Sequence, residues 1–159
     1  MNSARTLKSA LTALAVLALY LPLHAEVKVV LVASRIVSVN GVEQKQLADK
    51  AKPGEVIEYD AEYKNSDKVA VKNVMATLPI PSGLEYLPQT SMPEGALAST
   101  DGSSYAPVPL KRTVRGADGK QVQELVPYSE YRSLRWNLGE IAGGASKTVK
   151  ARMKVKAAQ

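Results

Sequence analysis

The chain has 159 residues, with 21 Lys and Arg against 15 Asp and Glu, one His, and neither Cys nor Phe. Its length suits one domain, and 45% apolar content with ordinary Gly and Pro reads as globular rather than disordered. Without Cys there is no disulfide framework, thiol nucleophile, zinc knuckle or iron–sulfur ligand set.

In chain order, Arg5 and Lys8 form a short basic region, and the apolar run Ala10–Leu23 follows it. This is the layout of a secretory signal, and the run is too short for a helix crossing the ~30 Å hydrocarbon core. Pro22 would end the helix and leave Leu23-His24-Ala25 extended for a peptidase. Cleavage after Ala25 would remove the only His and leave residues 26–159 as a soluble product, periplasmic or secreted, that does not span a membrane. No Cys follows the apolar run, so no lipid anchor is expected there. Loss of Arg5 and Lys8 leaves a modest, mixed charge whose only adjacent basic pair is Lys111-Arg112, so nucleic-acid binding has little support.

Beyond the leader, period-two alternation dominates. Val27–Val39 is a long β-branched run ending at the turn signal Asn40-Gly41. Gln44–Lys52 is the one stretch that could make a helical turn. Ile57, Tyr59, Ala61 and Tyr63 alternate with Glu58, Asp60, Glu62 and Lys64, which predicts a half-buried strand between Pro53-Gly54 and the turn Asn65-Ser66-Asp67. Val69–Leu78 is a strand stopped by Pro79 and Pro81, and Leu84–Leu87 is a short one. Gln89–Ser104 is polar and Gly/Pro-punctuated, which predicts a mobile surface loop. Pro109–Leu125 reads as a hairpin about Asp118-Gly119, and Glu130–Leu138 as a strand carrying the only Trp. After Gly143-Gly144, Val149, Ala151, Met153 and Val155 alternate with Lys150, Arg152, Lys154 and Lys156 in a last strand. Short strands without intervening helices mean an antiparallel sandwich or barrel. The expected core is Ile57, Tyr59, Tyr63, Val74, Trp136, Leu138, Val149, Ala151 and Met153.

Four stretches, in order and spacing, resemble the bacterial conserved-repeat domain (domain of unknown function 11), a module of envelope and surface proteins. They are Lys52–Asp67, Val71–Ser91, Arg135–Ser146 and Thr148–Val155, with Leu78-Pro79, Gly83-Leu84-Glu85-Tyr86 and Trp136-Asn137-Leu138-Gly139 as their corners. The resemblance implies an all-β, immunoglobulin-like antiparallel β-sandwich of about 7–9 strands. That family often occurs in tandem, whereas here one copy follows a leader, and Leu110–Arg132 is longer than a minimal copy. The family defines no catalytic residues, so none carries over.

With His and Cys missing after the leader, histidine triads and thiol catalysis are excluded. Glu58, Asp60 and Glu62 stand ~6.6 Å apart along a strand, a spacing that carboxylate catalysis or Ca²⁺ could use, Asp101 adding a loop acid. A solvated strand face is the preferred reading, and no metal or cofactor is expected. Lys150, Arg152, Lys154 and Lys156 would protect an edge strand or face an acidic partner, with protection preferred. Asp118 and the loop Gln89–Ser104 are further interaction candidates. Trp136 is expected in the core rather than as a sugar-stacking platform, because it shares its face with Leu134 and Leu138. A Lys–Asn crosslink, as in some surface modules, would have to use Lys28 and Asn137. The expected function is a non-catalytic structural or interaction component of the bacterial envelope, binding an unknown envelope protein or polymer. The alternatives are a carbohydrate-binding accessory protein using Trp136, Tyr86, Tyr105, Tyr128 or Tyr131, and an assembly chaperone with an open edge at Val27–Val39.

Overall fold

A computed structural model describes residues 26–49 and 51–157, so the predicted leader lies outside the described residues. Strands β1 (Val27–Val39) and β2 (Val42–Leu47) form a hairpin about Asn40-Gly41. Both turn residues have positive φ, 53° and 80°, the type I′ geometry that Asn-Gly adopts most readily. The remaining strands are β3 (Val56–Asn65), β4 (Val71–Pro79), β5 (Leu84–Tyr86), β6 (Leu97–Ser99), β7 (Ala106–Pro107), β8 (Lys111–Arg115), β9 (Gln121–Leu125), β10 (Ser133–Ile141) and β11 (Ser146–Val155). A 3₁₀ turn, Tyr128–Glu130, precedes β10. Among the described residues no helix is long and apolar enough to cross a membrane.

Every pairing is antiparallel. One sheet runs β2-β1-β3-β11-β5, a second β4-β10-β6-β7, and β8-β9 stands apart as a hairpin. The inner face of β3 carries Ile57, Ala61 and Tyr63, and that of β11 carries Val149, Ala151 and Met153, all buried. The second sheet meets them with Ala76, Leu78, Ala98, Leu134, Trp136 and Leu138. Trp136 satisfies its ring N–H by donating to the Pro93 carbonyl at 2.8 Å. The expected core residues are therefore enclosed, with Tyr59 and Val74 half-buried against the same cluster.

Four expectations need correction. Residues 44–47 of the stretch read as a helical turn belong to β2 and pair with β1; no residue of β2 is buried, so no apolar alternation marks it. The loop Gln89–Ser104 contains β6, whose Ala98 and Ser99 are fully enclosed beside β10. The last strand is covered on both sides from Lys150 onward, by β3 and by β5 with the Met92 bridge, so Lys150, Arg152 and Lys154 do not lie on an open edge. The described residues form eleven strands rather than about 7–9, the ones not expected from sequence being β2, β6 and β7.

Asn65 closes β3 and is fully buried, not a solvated turn residue. Its Nδ2 donates to the carbonyls of Val69 (2.7 Å), Ile141 (3.1 Å) and Ala142 (3.2 Å), and its Oδ1 accepts from the Asp67 N–H (3.1 Å). One side chain thus ties the β3–β4 turn to the β10–β11 turn. Gly143 lies in the same knot, where a Cβ would stand 2.2 Å from the Lys68 carbonyl oxygen.

Candidate interaction surface

The outer face of the five-stranded sheet collects the two charged ladders. Register sets Asp60 against Lys150 and Glu58 against Arg152, so the alternation that buries one face of each strand aligns opposite charges on the other. Arg152 Nε donates to Glu58 Oε2 at 2.7 Å, and Lys150 Nζ stands 3.1 Å from Asp60 Oδ1. From the far side Lys45 of β2 reaches over β1, donating to Asp60 Oδ2 at 3.0 Å and pairing with Glu58. Only Ser34 and Ile36 of β1 separate them, and Ser34 leaves room. Glu43 of β2 takes a two-pronged contact from Arg152 at 3.2 and 2.9 Å. On the opposite face of the same sheet, beyond Ile57, Arg35 donates to Glu55 (3.1 Å) and Gln46 (2.8 Å).

Burial alone would raise the carboxyl pKa values of Glu58 and Asp60, but Lys45 with Arg152 and Lys45 with Lys150 outweigh it and hold both below the usual range. Lys45 and Arg152 are raised in turn, Lys45 first by Glu58 and Arg152 first by Glu43. Glu58 and Asp60 are thus held as anions paired with cations from β2 and β11. This arrangement replaces the reading of Lys150 and Arg152 as edge guards: both face carboxylates of β3. Lys45 and Glu43 were hidden in sequence because β2 carries no strand-like alternation.

The other candidates are not gathered into this face. Lys154 is exposed, opposite Val56 of β3 and Glu85 of β5. Asp118 sits at the tip of β8-β9, where its Oδ1 accepts from the Lys120 N–H at 3.1 Å, a turn-forming bond. Asp101 Oδ1 is occupied by the Ser99 hydroxyl and the Ser103 and Ser104 N–H groups, which hold its carboxyl far below the usual range. Lys28 lies on β1 of the first sheet and Asn137 on β10 of the second, with Asn137 Oδ1 engaged by the Gly139 N–H. Neither pattern nor placement brings those two together.

No aromatic proposed for sugars offers an open platform. Trp136, Tyr86 and Tyr131 are buried, and Tyr128 packs edge-on against both tyrosines. The ring of Tyr105 is covered by the Arg135 guanidinium, 3.6 Å from its centroid.

Sheet edges differ sharply in how they are finished. On the edge strand β4, the Tyr63 hydroxyl accepts from the Thr77 N–H (3.0 Å) and donates to the Thr77 carbonyl (3.3 Å). Asn73, with φ 56°, breaks the regularity of that edge. β7 is two residues ending in Pro107, β5 is three residues, and β2 carries Glu43 and Lys45. These are the devices that keep sheets from pairing with strangers. β1 lacks them over Val27–Val32: β2 pairs with β1 from Ser34 onward, and Ala48 engages the Ala33 carbonyl. There Val29, Val30, Leu31 and Val32 are 53, 55, 51 and 43% exposed, and Lys28 is the only charge. Of the strand Val27–Val39 that the sequence offers as an open edge, only Val27–Val32 is uncovered; the rest lies between β2 and β3. In comparisons with protein-family models, curated proteins and solved structures, the chain matches none.

Proposed function

We propose that this protein is an exported, non-catalytic, immunoglobulin-like sandwich of the bacterial envelope that works by pairing its β1 edge with a strand of a second polypeptide. The observation that carries the reading is the unfinished edge Val27–Val32, apolar on both faces, where β2, β4, β5 and β7 are short, charged or interrupted. An edge of that kind binds by strand addition, main-chain hydrogen bonds giving affinity and alternate side chains giving specificity. The signal-like leader and the resemblance to an envelope module support the compartment. The pairing of Glu58 and Asp60 with Lys45, Lys150 and Arg152 supports a role without chemistry.

The test is photo-crosslinking in the living host from a probe replacing Leu31, with Val122 of the exposed β9 as control, being apolar and 46% exposed. Discrete protein adducts from position 31 in the envelope fraction, and none from 122, are the expected result. A chain retained in the cytoplasm with its leader, or equal labelling at both positions, overturns the reading.

A further inference from the structure

We infer that the strand added to β1 is β1 of a second copy of this chain, in an antiparallel pair centred on Val30. The inference rests on the reading of β1 as a binding edge and names its partner.

Backbone geometry fixes which registers are allowed. The Ala48 N–H donates to the Ala33 carbonyl at 3.4 Å, so Ala33 directs its main-chain groups toward the β2 side of β1. A two-residue type I′ turn makes Val39 and Val42 a hydrogen-bonded pair, which gives the same parity. β1 pairs with β3 from Val27 to Ile36 without a bulge, so alternation extends upstream. Val27, Val29 and Leu31 therefore aim their N–H and C=O groups out of the open edge, while Lys28, Val30 and Val32 aim theirs at β3. A partner strand must set outward residues against outward ones. For β1 against itself this admits two-fold centres on single residues only. A centre at Leu31 would lay Val27 against Arg35, which β2 already pairs with Gln46. A centre at Lys28 would oppose two lysines. The centre at Val30 pairs Lys28–Val32 of each copy and stops short of Ala33, whose carbonyl Ala48 engages: Val29 of one copy exchanges hydrogen bonds with Leu31 of the other, and Val30 meets Val30.

The side chains fit this register on both faces. Val29 meets Leu31 on the inner face, and Val30 meets Val30 on the outer. Lys28 falls against Val32, in the row that continues to Asp60 of the other copy, so each new charge lies toward an acid and not its twin. The two Glu62 side chains share the row of Val30. They are three strand spacings apart, ~14 Å, beyond the Debye length of physiological salt. Each β2 ends at Leu47, level with Ser34, and Ala48 covers Ala33, so the other copy's β1 pairs from Lys28 onward. The strands meet end to end and form one sheet running from β5 to β5. A foreign strand would need an equally apolar pair of faces, which β1 itself supplies. The contact is short, near the low end for specific interfaces at roughly 1,000 Å², so affinity of about 10–100 μM is expected.

The test uses the exported chain as its host processes it, and exploits the lack of Cys. Directly opposed residues of a non-hydrogen-bonded pair have Cα atoms ~4.5 Å apart, within disulfide reach. Val30→Cys should give a disulfide dimer on mild oxidation at least ten times faster than Val29→Cys or Val122→Cys. Sedimentation should show a reversible dimer for the unsubstituted chain. Val30→Lys, at a half-exposed position, should weaken it at least tenfold with an unchanged thermal midpoint. A monomer at several hundred micromolar, or equal oxidation rates for the three Cys variants, overturns the self-pairing. If adducts at position 31 persist in the envelope in that case, another protein occupies the edge and only this inference falls. If they vanish as well, the binding edge falls with it.

Discussion

Truncating Asn65 to Ala tests whether the buried amide clamps the two turns. The substitution removes the donor to the carbonyls of Val69, Ile141 and Ala142 and the acceptor for the Asp67 N–H. Each good hydrogen bond has a net value of ~1 kcal/mol, and the groups left unpaired in a closed site raise the total. Asp67 is partly exposed and can recover water, while the Ile141 carbonyl cannot. The expected loss is about 2–4 kcal/mol, which for a domain of this size lowers the melting midpoint by roughly 7–14 °C. Asn65→Asp is the sharper probe. It keeps the acceptor for the Asp67 N–H but turns a carboxylate toward three carbonyl oxygens, so it should cost more than Ala at neutral pH. Enclosure raises that carboxyl's folded pKa above its unfolded value, so stability should return as the pH falls through the raised value, when the protonated acid can donate. Urea unfolding followed by Trp136 fluorescence at pH 7 and pH 5 measures both effects. An Asp variant as stable as the native chain at pH 7, or an Ala variant within 0.5 kcal/mol of it (roughly the scatter of surface substitutions), would refute the clamp.

Three further outcomes are expected. Gly143→Ala should destabilise by about 1–3 kcal/mol in the same urea experiment, because the new Cβ would overlap the Lys68 carbonyl and backbone must move. Trp136→Phe should cost at least 1 kcal/mol (roughly the value of one hydrogen bond), since the Pro93 carbonyl loses its donor, and sugar titration should leave the native Trp emission unmoved. Glu58 and Asp60 have folded pKa values below their unfolded ones, so their contribution is complete above the ordinary carboxylate value near ~4 and is lost as pH falls below it. Melts at pH 7, 4 and 2.5 should show that loss, and the double variant Glu58→Gln, Asp60→Asn should flatten it.

The sheets were legible wherever a strand buries one face only. Ile57, Ala61 and Tyr63 against Glu58, Asp60 and Glu62 have a period that only a half-covered strand needs, and Val149, Ala151 and Met153 repeat it. Trp136 was placed in the core by its alternation with Leu134 and Leu138. β2 was illegible because Val42–Leu47 buries nothing, so its conformation comes from the Asn40-Gly41 turn and from partners on other strands. The role of Lys150 and Arg152 was misread for a related reason. A ladder of cations looks the same whether it guards an edge or faces carboxylates on the next strand, and strand order is not written in either strand alone. Asn65 shows the limit for single residues, since a polar residue at a strand end gives no sign of whether water or a turn's carbonyls will surround it.

The charged face and the open edge are mechanically one feature. β2 has no apolar anchor, so beyond its hairpin bonds it is held by Lys45 on Glu58 and Asp60 and by Glu43 on Arg152, contacts that pass over β1 to reach β3 and β11. Isolated surface pairs of this kind contribute ~0–1 kcal/mol each, but here they share partners and so order one another's side chains at lower entropic cost. By fixing β2 against Ser34–Val39, the network sets where cover stops and therefore how much of β1 remains open. A longer β2 would bury Val29 and Leu31; a detached one would expose the whole of β1 and remove the stop that singles out one register. The charges that sequence alone assigned to guarding an edge thus define the length of a different one.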